Sequence, residues 1–144
     1  MTLGQAIRNA AEVERAGARF YGMLADRATD EKARAFFRKL ADDEVRHAEE
    51  LERQGHELGD QFDHALSEAC VKQVEQAPGW EHTEEITPEQ AFEIAIEAEN
   101  SAFLYYDSIA DFATGEVKAF LERLAKMEEG HAEVLRQRRD EFFK

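Results

Sequence analysis

An internal repeat is the feature of this sequence that most constrains its fold. Residues 35–51 (AFFRKLADDEVRHAEEL) and 119–135 (AFLERLAKMEEGHAEVL) are identical at nine of seventeen positions when they are aligned at an offset of 84. Residues 12–26 match residues 97–111 at five of fifteen positions at an offset of 85. Two such matches at almost the same offset predict that one helical unit occurs twice along the chain.

The hydrophobic pattern predicts that each repeated unit is a pair of helices. Apolar residues recur at spacings of three and four, and only two Pro and eight Gly occur in 144 residues, a combination typical of long helices. Thr2 with Gln5 and Thr87 with Gln90 read as capping boxes. We therefore expect an all-α single domain over residues 1–144 with four helices, at about residues 3–28, 30–56, 88–112 and 115–142. Short links within each pair predict two antiparallel hairpins.

A long crossover, about residues 57–87, joins the two predicted hairpins. It contains the helix breakers Gly59, Pro78 and Gly79, which separate it from the flanking helices. Apolar and small residues from Phe62 to Ala77 recur at helical spacing, so we expect one short amphipathic helix there.

Charge and cysteine content restrict the possible partners and compartment. The chain has 18 basic and 32 acidic residues, a formal net charge of −14, which argues against nucleic acid and anionic membrane as partners. A lone cysteine, Cys70, excludes a disulfide framework or a four-cysteine metal site within these residues. No apolar run reaches the roughly 18 residues that span a bilayer. We expect a cytoplasmic location.

Charged residues interrupt the predicted apolar seams at mid-height of each helix. Burying an isolated carboxylate costs several kcal/mol, so four buried carboxylates would exceed the ~5–15 kcal/mol by which a domain is usually stable. Neutralisation by cations from solution is therefore expected. The seam positions concerned are Glu14, Glu44, His47, Glu99, Glu128 and His131.

The spacing of these residues indicates a two-metal site. Glu44 with His47 and Glu128 with His131 are Glu-x-x-His pairs, in which both side chains lie on one helix face. In an antiparallel hairpin Glu14 comes level with the first pair, and Glu99 with the second. Four carboxylates and two neutral imidazoles carry a charge of −4, which two divalent ions balance. Oxygen-rich ligation of this kind suits two iron ions, or manganese.

Simpler interpretations exist for several of these residues. One Glu-x-x-His pair in a Glu-rich helix most often lies on a solvent-exposed face of that helix. Two such pairs in register within a repeat favour metal ligation. Tyr21 and Tyr106 each follow a predicted ligand Glu by seven residues, so their hydroxyls either donate to ligand carboxylates or belong to core packing. A metal-free helical interaction domain is the remaining alternative.

In these residues the chain resembles the ferritin-like superfamily, and within it the rubrerythrin-like proteins. The resemblance covers all four helices and implies a ferritin-like four-helix bundle. It implies that Glu44 and Glu128 bridge two irons, that Glu14 and Glu99 are terminal ligands, and that His47 and His131 each bind one iron. Its implied activity is that of a di-iron peroxidase or ferroxidase, an oxidoreductase whose diferrous centre reacts with hydrogen peroxide or dioxygen.

Two departures from the rubrerythrin pattern affect what the resemblance implies. Full-length rubrerythrins carry a rubredoxin domain with a four-cysteine iron site, which Cys70 alone cannot supply, so electrons are expected from a separate rubredoxin or from ferrous iron. They also have a further ligand Glu where this chain has Ala102, and Gly17 in the first half does not replace it. The remaining six ligands are similar to those of bacterioferritin, so the alternative is an iron-storage subunit. A homo-oligomer, dimeric or larger, is expected in either case.

Overall fold

A computed structural model describes residues 1–76, 78–80, 82 and 85–143 of the chain. Within these residues the polypeptide forms helices and no β-strand, which confirms the predicted all-α class. The elements, in chain order, are α1 (Leu3–Arg27), α2 (Glu31–His56), a 3-10 helix (Gly59–Asp63), α3 (Glu68–Glu75), α4 (Pro88–Ala110) and α5 (Gly115–Phe142).

Two capping boxes start the first helix of each hairpin, as predicted. The Thr2 hydroxyl accepts a hydrogen bond from the Gln5 backbone N–H at 3.2 Å, and the Gln5 side chain accepts one from the Thr2 N–H at 3.0 Å. Thr87 and Gln90 make the same two bonds at the start of α4, where Pro88 occupies the first helical turn. Each box satisfies two backbone donors that a helix N-terminus leaves without an intrahelical partner.

The first of two compact units contains α1, α2 and the 3-10 helix, residues Thr2–Asp63. Only residues 28–30 separate α1 from α2, so the two helices form an antiparallel hairpin. Asp30 caps α2 by accepting from the Ala33 N–H at 3.3 Å, and Arg34 donates to the Ala28 carbonyl at 2.9 Å across the turn. Buried apolar residues of this hairpin include Ile7, Phe20, Leu24, Leu40 and Leu51.

The 3-10 helix packs against the start of α1. Phe62 lies so close to Gly4 that a Cβ atom on residue 4 would come within 2.0 Å of the phenyl ring. The guanidinium of Arg8 lies 4.8 Å from the centre of the same ring, a distance at which a cation–π attraction operates. Because Gly4 has no side chain, the Phe62 ring fits against it, and the start of the crossover can pack on α1.

The second unit contains Met1 and the residues from His64 onward. Here α3 packs on α4, and α4 and α5 form the second hairpin. The amides of Phe112 and Ala113 donate to the carbonyls of Ile109 and Ala110 at 3.0 and 3.1 Å. This tightened last turn ends α4 at Ala110, two residues before the expected end.

The crossover differs from the expected single helix between Phe62 and Ala77. Phe62 belongs to the 3-10 helix, and a separate helix, α3, begins only at Glu68. Ser67 caps α3 by accepting from the Cys70 N–H at 3.1 Å. Because serine favours the position before a helix, α3 begins after Ser67 as an element separate from the 3-10 helix. Ala77 lies outside the described residues.

A helix can cross a bilayer only if it is both long enough and sufficiently apolar. Among the described residues, no helix combines the length and apolar character needed to cross a membrane.

Candidate metal centre

All four glutamates predicted to interrupt the apolar seams are buried in the structure. Their exposed fractions are 3% or less, which places the carboxylates among apolar core residues; they are Glu14, Glu44, Glu99 and Glu128. A buried carboxylate is rare unless it is paired or binds a metal. The structure therefore has, at the predicted positions, the acidic groups that the metal hypothesis requires.

The first unit brings three of the six predicted ligands together, and we call Glu14, Glu44 and His47 the His47 triad. One ligand atom from each lies within 4.8 Å of the others. Glu14 comes from α1, while Glu44 and His47 lie three residues apart on one face of α2. The His47 Nδ1 is 3.8 Å from the Glu14 Oε1.

The second unit holds the repeated arrangement, and we call Glu99, Glu128 and His131 the His131 triad. Ligand atoms of the three residues again lie within 4.8 Å of one another. Glu99 comes from α4, and Glu128 and His131 lie three residues apart on α5. The His131 Nδ1 is 3.6 Å from the Glu99 Oε2. Both triads thus have the same composition, two carboxylates and one imidazole.

The histidine–glutamate distance and the charge of each triad fit one divalent ion. Two donors bound to one ion at about 2.1 Å lie no more than about 4.2 Å apart. The two histidine–glutamate distances, 3.8 and 3.6 Å, are below that limit. Two carboxylates and a neutral imidazole carry −2, which one divalent ion balances. Oxygen and imidazole nitrogen donors without a thiolate are suited to iron or manganese.

Comparison with known proteins identifies the family. The family model described as Rubrerythrin matches residues 5–139 of the chain. The chain belongs to the rubrerythrin family. No curated protein and no solved structure gives a significant match. The matched segment contains both triads, so the resemblance inferred from the sequence is confirmed. Proteins of the rubrerythrin family bind a di-iron centre, and the two triads supply residues able to hold metal.

The basic residues nearest in sequence to the His47 triad of this rubrerythrin family member make ion pairs on the helix surfaces. Arg15 donates to Glu52 at 2.6 Å, and this hydrogen bond raises the pKa of the guanidinium above its ordinary value. Lys39 lies 3.2 Å from Asp43, which also accepts from Arg46. Asp43 is buried, and no role was predicted for it from the sequence. The signal was present, because basic residues stand four before it and three after it.

Tyr21 and Tyr106, the two tyrosines predicted to lie near the ligands, are both buried. The Tyr106 ring packs edge-on against that of Tyr105 with centroids 5.4 Å apart. Tyr105 is equally buried and was not singled out from the sequence. Burial raises the pKa of its hydroxyl, because the phenolate would lose its hydration. These packing contacts do not decide whether the hydroxyls of Tyr21 and Tyr106 donate to ligand carboxylates or belong to core packing. Both interpretations stay predictions.

The remaining histidines and the cysteine lie outside the two triads. His56, His64 and His82 are exposed. The His64 Nδ1 lies 3.2 Å from the Phe112 carbonyl oxygen, which ties the crossover to the α4–α5 turn. Cys70 is buried, and desolvation raises the pKa of its thiol, so the reactive thiolate is disfavoured.

Proposed function

We propose that this chain is a di-iron oxidoreductase that reduces hydrogen peroxide or dioxygen. The observation that carries the proposal is the pair of matched triads, each with two buried carboxylates and one imidazole, inside the segment that matches the rubrerythrin family. A structural role alone does not account for the same three residue types, at the same spacing, in two repeats. Metal ligation requires both the residue types and the spacing.

In this proposal Glu14, Glu44 and His47 would hold one ion, and Glu99, Glu128 and His131 would hold the other. The bridging roles that the resemblance implies for Glu44 and Glu128 stay predictions. Ferrous ions bound by the two triads would supply the two electrons that, with two protons, convert one hydrogen peroxide to two water molecules. The carboxylates neutralise the ions and lower the cost of keeping positive charge out of water. The imidazoles add neutral donors, so each triad balances its ion without an excess of negative charge. Burial of the glutamates excludes bulk water from their oxygens.

The wider functional setting also belongs to the proposal. Electrons would come from a separate donor, such as a rubredoxin or ferrous iron itself. A homo-oligomer and a cytoplasmic location fit an oxidative-stress or iron-handling role. The net charge of −14 would attract cations such as ferrous iron towards the surface and repel polyanions.

Metal content and single-turnover kinetics test the proposal. The purified chain is reloaded anaerobically with ferrous iron, bound metal is counted per chain, and the loaded chain is mixed with peroxide or dioxygen. We expect two irons and rapid oxidation. The variant Glu44→Ala/His47→Ala should lose bound iron, whereas Glu49→Ala/His56→Ala, on exposed positions of the same helix, should retain it. Unchanged metal content in the first variant would favour the metal-free interaction domain.

The same preparation distinguishes enzyme from storage subunit. A small oligomer with repeated peroxide turnover supports the peroxidase. A large hollow assembly that deposits more iron than its ligands can hold would instead identify the storage function.

A further inference from the structure

The two triads have the same ligands but differ in the residues beside their histidines. On each helix, the positions one turn before and one turn after the histidine lie on its flank. At the repeat offset of 84, Asp43 of α2 corresponds to Met127 of α5, and Arg46 corresponds to Gly130. The two repeats therefore share the predicted ligands but differ in the residues beside each histidine. We call these residues the rim: Asp43, Arg46 and Glu50 on α2, and Met127, Gly130 and Val134 on α5.

On α2 the rim beside His47 is made of ion pairs. Asp43 lies one turn before His47, is buried, and is held by Lys39 at 3.2 Å and by Arg46. One turn after His47, Glu50 pairs with Arg53. The His47 side chain is 7% exposed. A molecule that approaches this histidine has to displace charged groups that are already paired.

On α5 the corresponding rim is apolar and open. Met127 lies one turn before His131 and Val134 one turn after it, and their exposed fractions are 48% and 42%. Between them, a Cβ atom on Gly130 would have no neighbour within 4 Å. The His131 side chain is 14% exposed, twice the value for His47.

We propose that dioxygen reaches the His131 triad first, along α5 past Met127, Gly130 and Val134. Dioxygen is apolar, so it gains nothing from ion pairs that it would have to part. An apolar rim next to a glycine offers a passage without that cost. The inference deepens the proposed function and depends on it for the identity of the oxidant.

Dissolved dioxygen is a probe that does not depend on turnover. It is paramagnetic, so it speeds the relaxation of nuclei that it approaches. The full chain, with isotope-labelled histidine, is measured by NMR under oxygen pressure, once loaded with redox-inert zinc and once without metal. We expect a larger relaxation enhancement at the His131 ring than at the His47 ring, since the two side chains are 14% and 7% exposed.

Exchanging the rims tests the cause of the asymmetry. Met127→Asp/Gly130→Arg gives α5 the two charged residues that precede His47 on α2, with Arg123 in the place of Lys39, and leaves Val134 unchanged. The ratio of the two enhancements should fall towards one, and single-turnover oxidation of the ferrous chain by dioxygen should slow. Both positions are exposed, so the fold should tolerate the change. The matched control Lys126→Asp/Glu133→Arg, on exposed positions of the same helix, should leave the ratio of the two enhancements unchanged.

Equal enhancement at the two rings of the unaltered chain would overturn the inference, and so would a ratio that does not respond to the rim exchange. If a second copy of the chain covered this face, the relaxation enhancement at the His131 ring would be as low as that at the His47 ring. That result would also overturn the inference. Failure of the proposed function looks different, because the chain would then hold no stoichiometric iron while the oxygen measurement still reports access.

Discussion

Replacing Glu44 by glutamine should have opposite effects on the metal-free and the metal-loaded chain. Glu44 is 0% exposed and shares its triad with a second carboxylate, Glu14. Glutamine has nearly the same shape but no charge. Without metal, the change removes a buried negative charge beside another and should raise the free energy of unfolding. With metal, it removes a ligand and should lower it.

The magnitudes follow from burial and linkage. Burying an ion costs several kcal/mol, so removing one of two neighbouring carboxylates should recover part of that cost, on the order of 1–4 kcal/mol. An entropy of unfolding of ~2.1 cal/mol/K per residue gives about 0.3 kcal/mol/K for 144 residues, so the metal-free Tm should rise by about 3–13 °C. An ion present at about 100 times its Kd adds ~2.7 kcal/mol. Loss of one such site therefore removes about 9 °C of the Tm increase that metal produces.

Thermal unfolding followed by circular dichroism, with chelator or with manganous salt, measures both effects. Glu49→Gln on the exposed face of α2 is the control and should change stability by no more than about 0.5 kcal/mol in either condition. The reasoning is refuted if Glu44→Gln lowers the Tm of the metal-free chain, or if metal raises the Tm of Glu44→Gln and of the unaltered chain by the same amount.

Three further predictions concern the fold and the thiol. Gly4→Ala places a Cβ against Phe62 and should destabilise by about 1–3 kcal/mol in urea unfolding, whereas Gly22→Ala, in a helix with nothing within 4 Å, should stabilise by about 0.5–1 kcal/mol. The raised pKa of buried Cys70 should make its reaction with a disulfide reagent at neutral pH much slower than in urea; equal rates would contradict that burial. Thr87→Ala removes a capping box and should cost about 1 kcal/mol, seen as a lower urea midpoint at unchanged m-value.

The sequence predicted the helices and the burial of the four seam glutamates well where a periodic or repeated signal existed. The capping boxes at Thr2 and Thr87 depend on local chemistry within four residues, and the structure shows both. The burial of Glu44 and Glu128 followed from their place on apolar seams. Such features need no knowledge of distant contacts.

Other features depend on contacts that periodicity does not encode. The 3-10 helix exists where Phe62 meets Gly4 across the first unit, so its position could not be read from the crossover alone. Ion pairs with Lys39 and Arg46 compensate for the burial of Asp43. No role was predicted for Asp43 from the sequence, although it stands next to the predicted ligand Glu44. Tyr105 was missed because its neighbour Tyr106 matched the repeat and it did not.

The most direct test of the central claim is metal stoichiometry under equilibrium conditions. Anaerobic titration of the metal-free chain with ferrous iron, followed by calorimetry and elemental analysis, should show two ions per chain. Glu14→Ala/Glu44→Ala and Glu99→Ala/Glu128→Ala should each reduce that number, since each pair removes two carboxylates from one triad. If the unaltered chain binds no stoichiometric metal, or binds two ions equally well in both variants, the buried glutamates are not metal ligands.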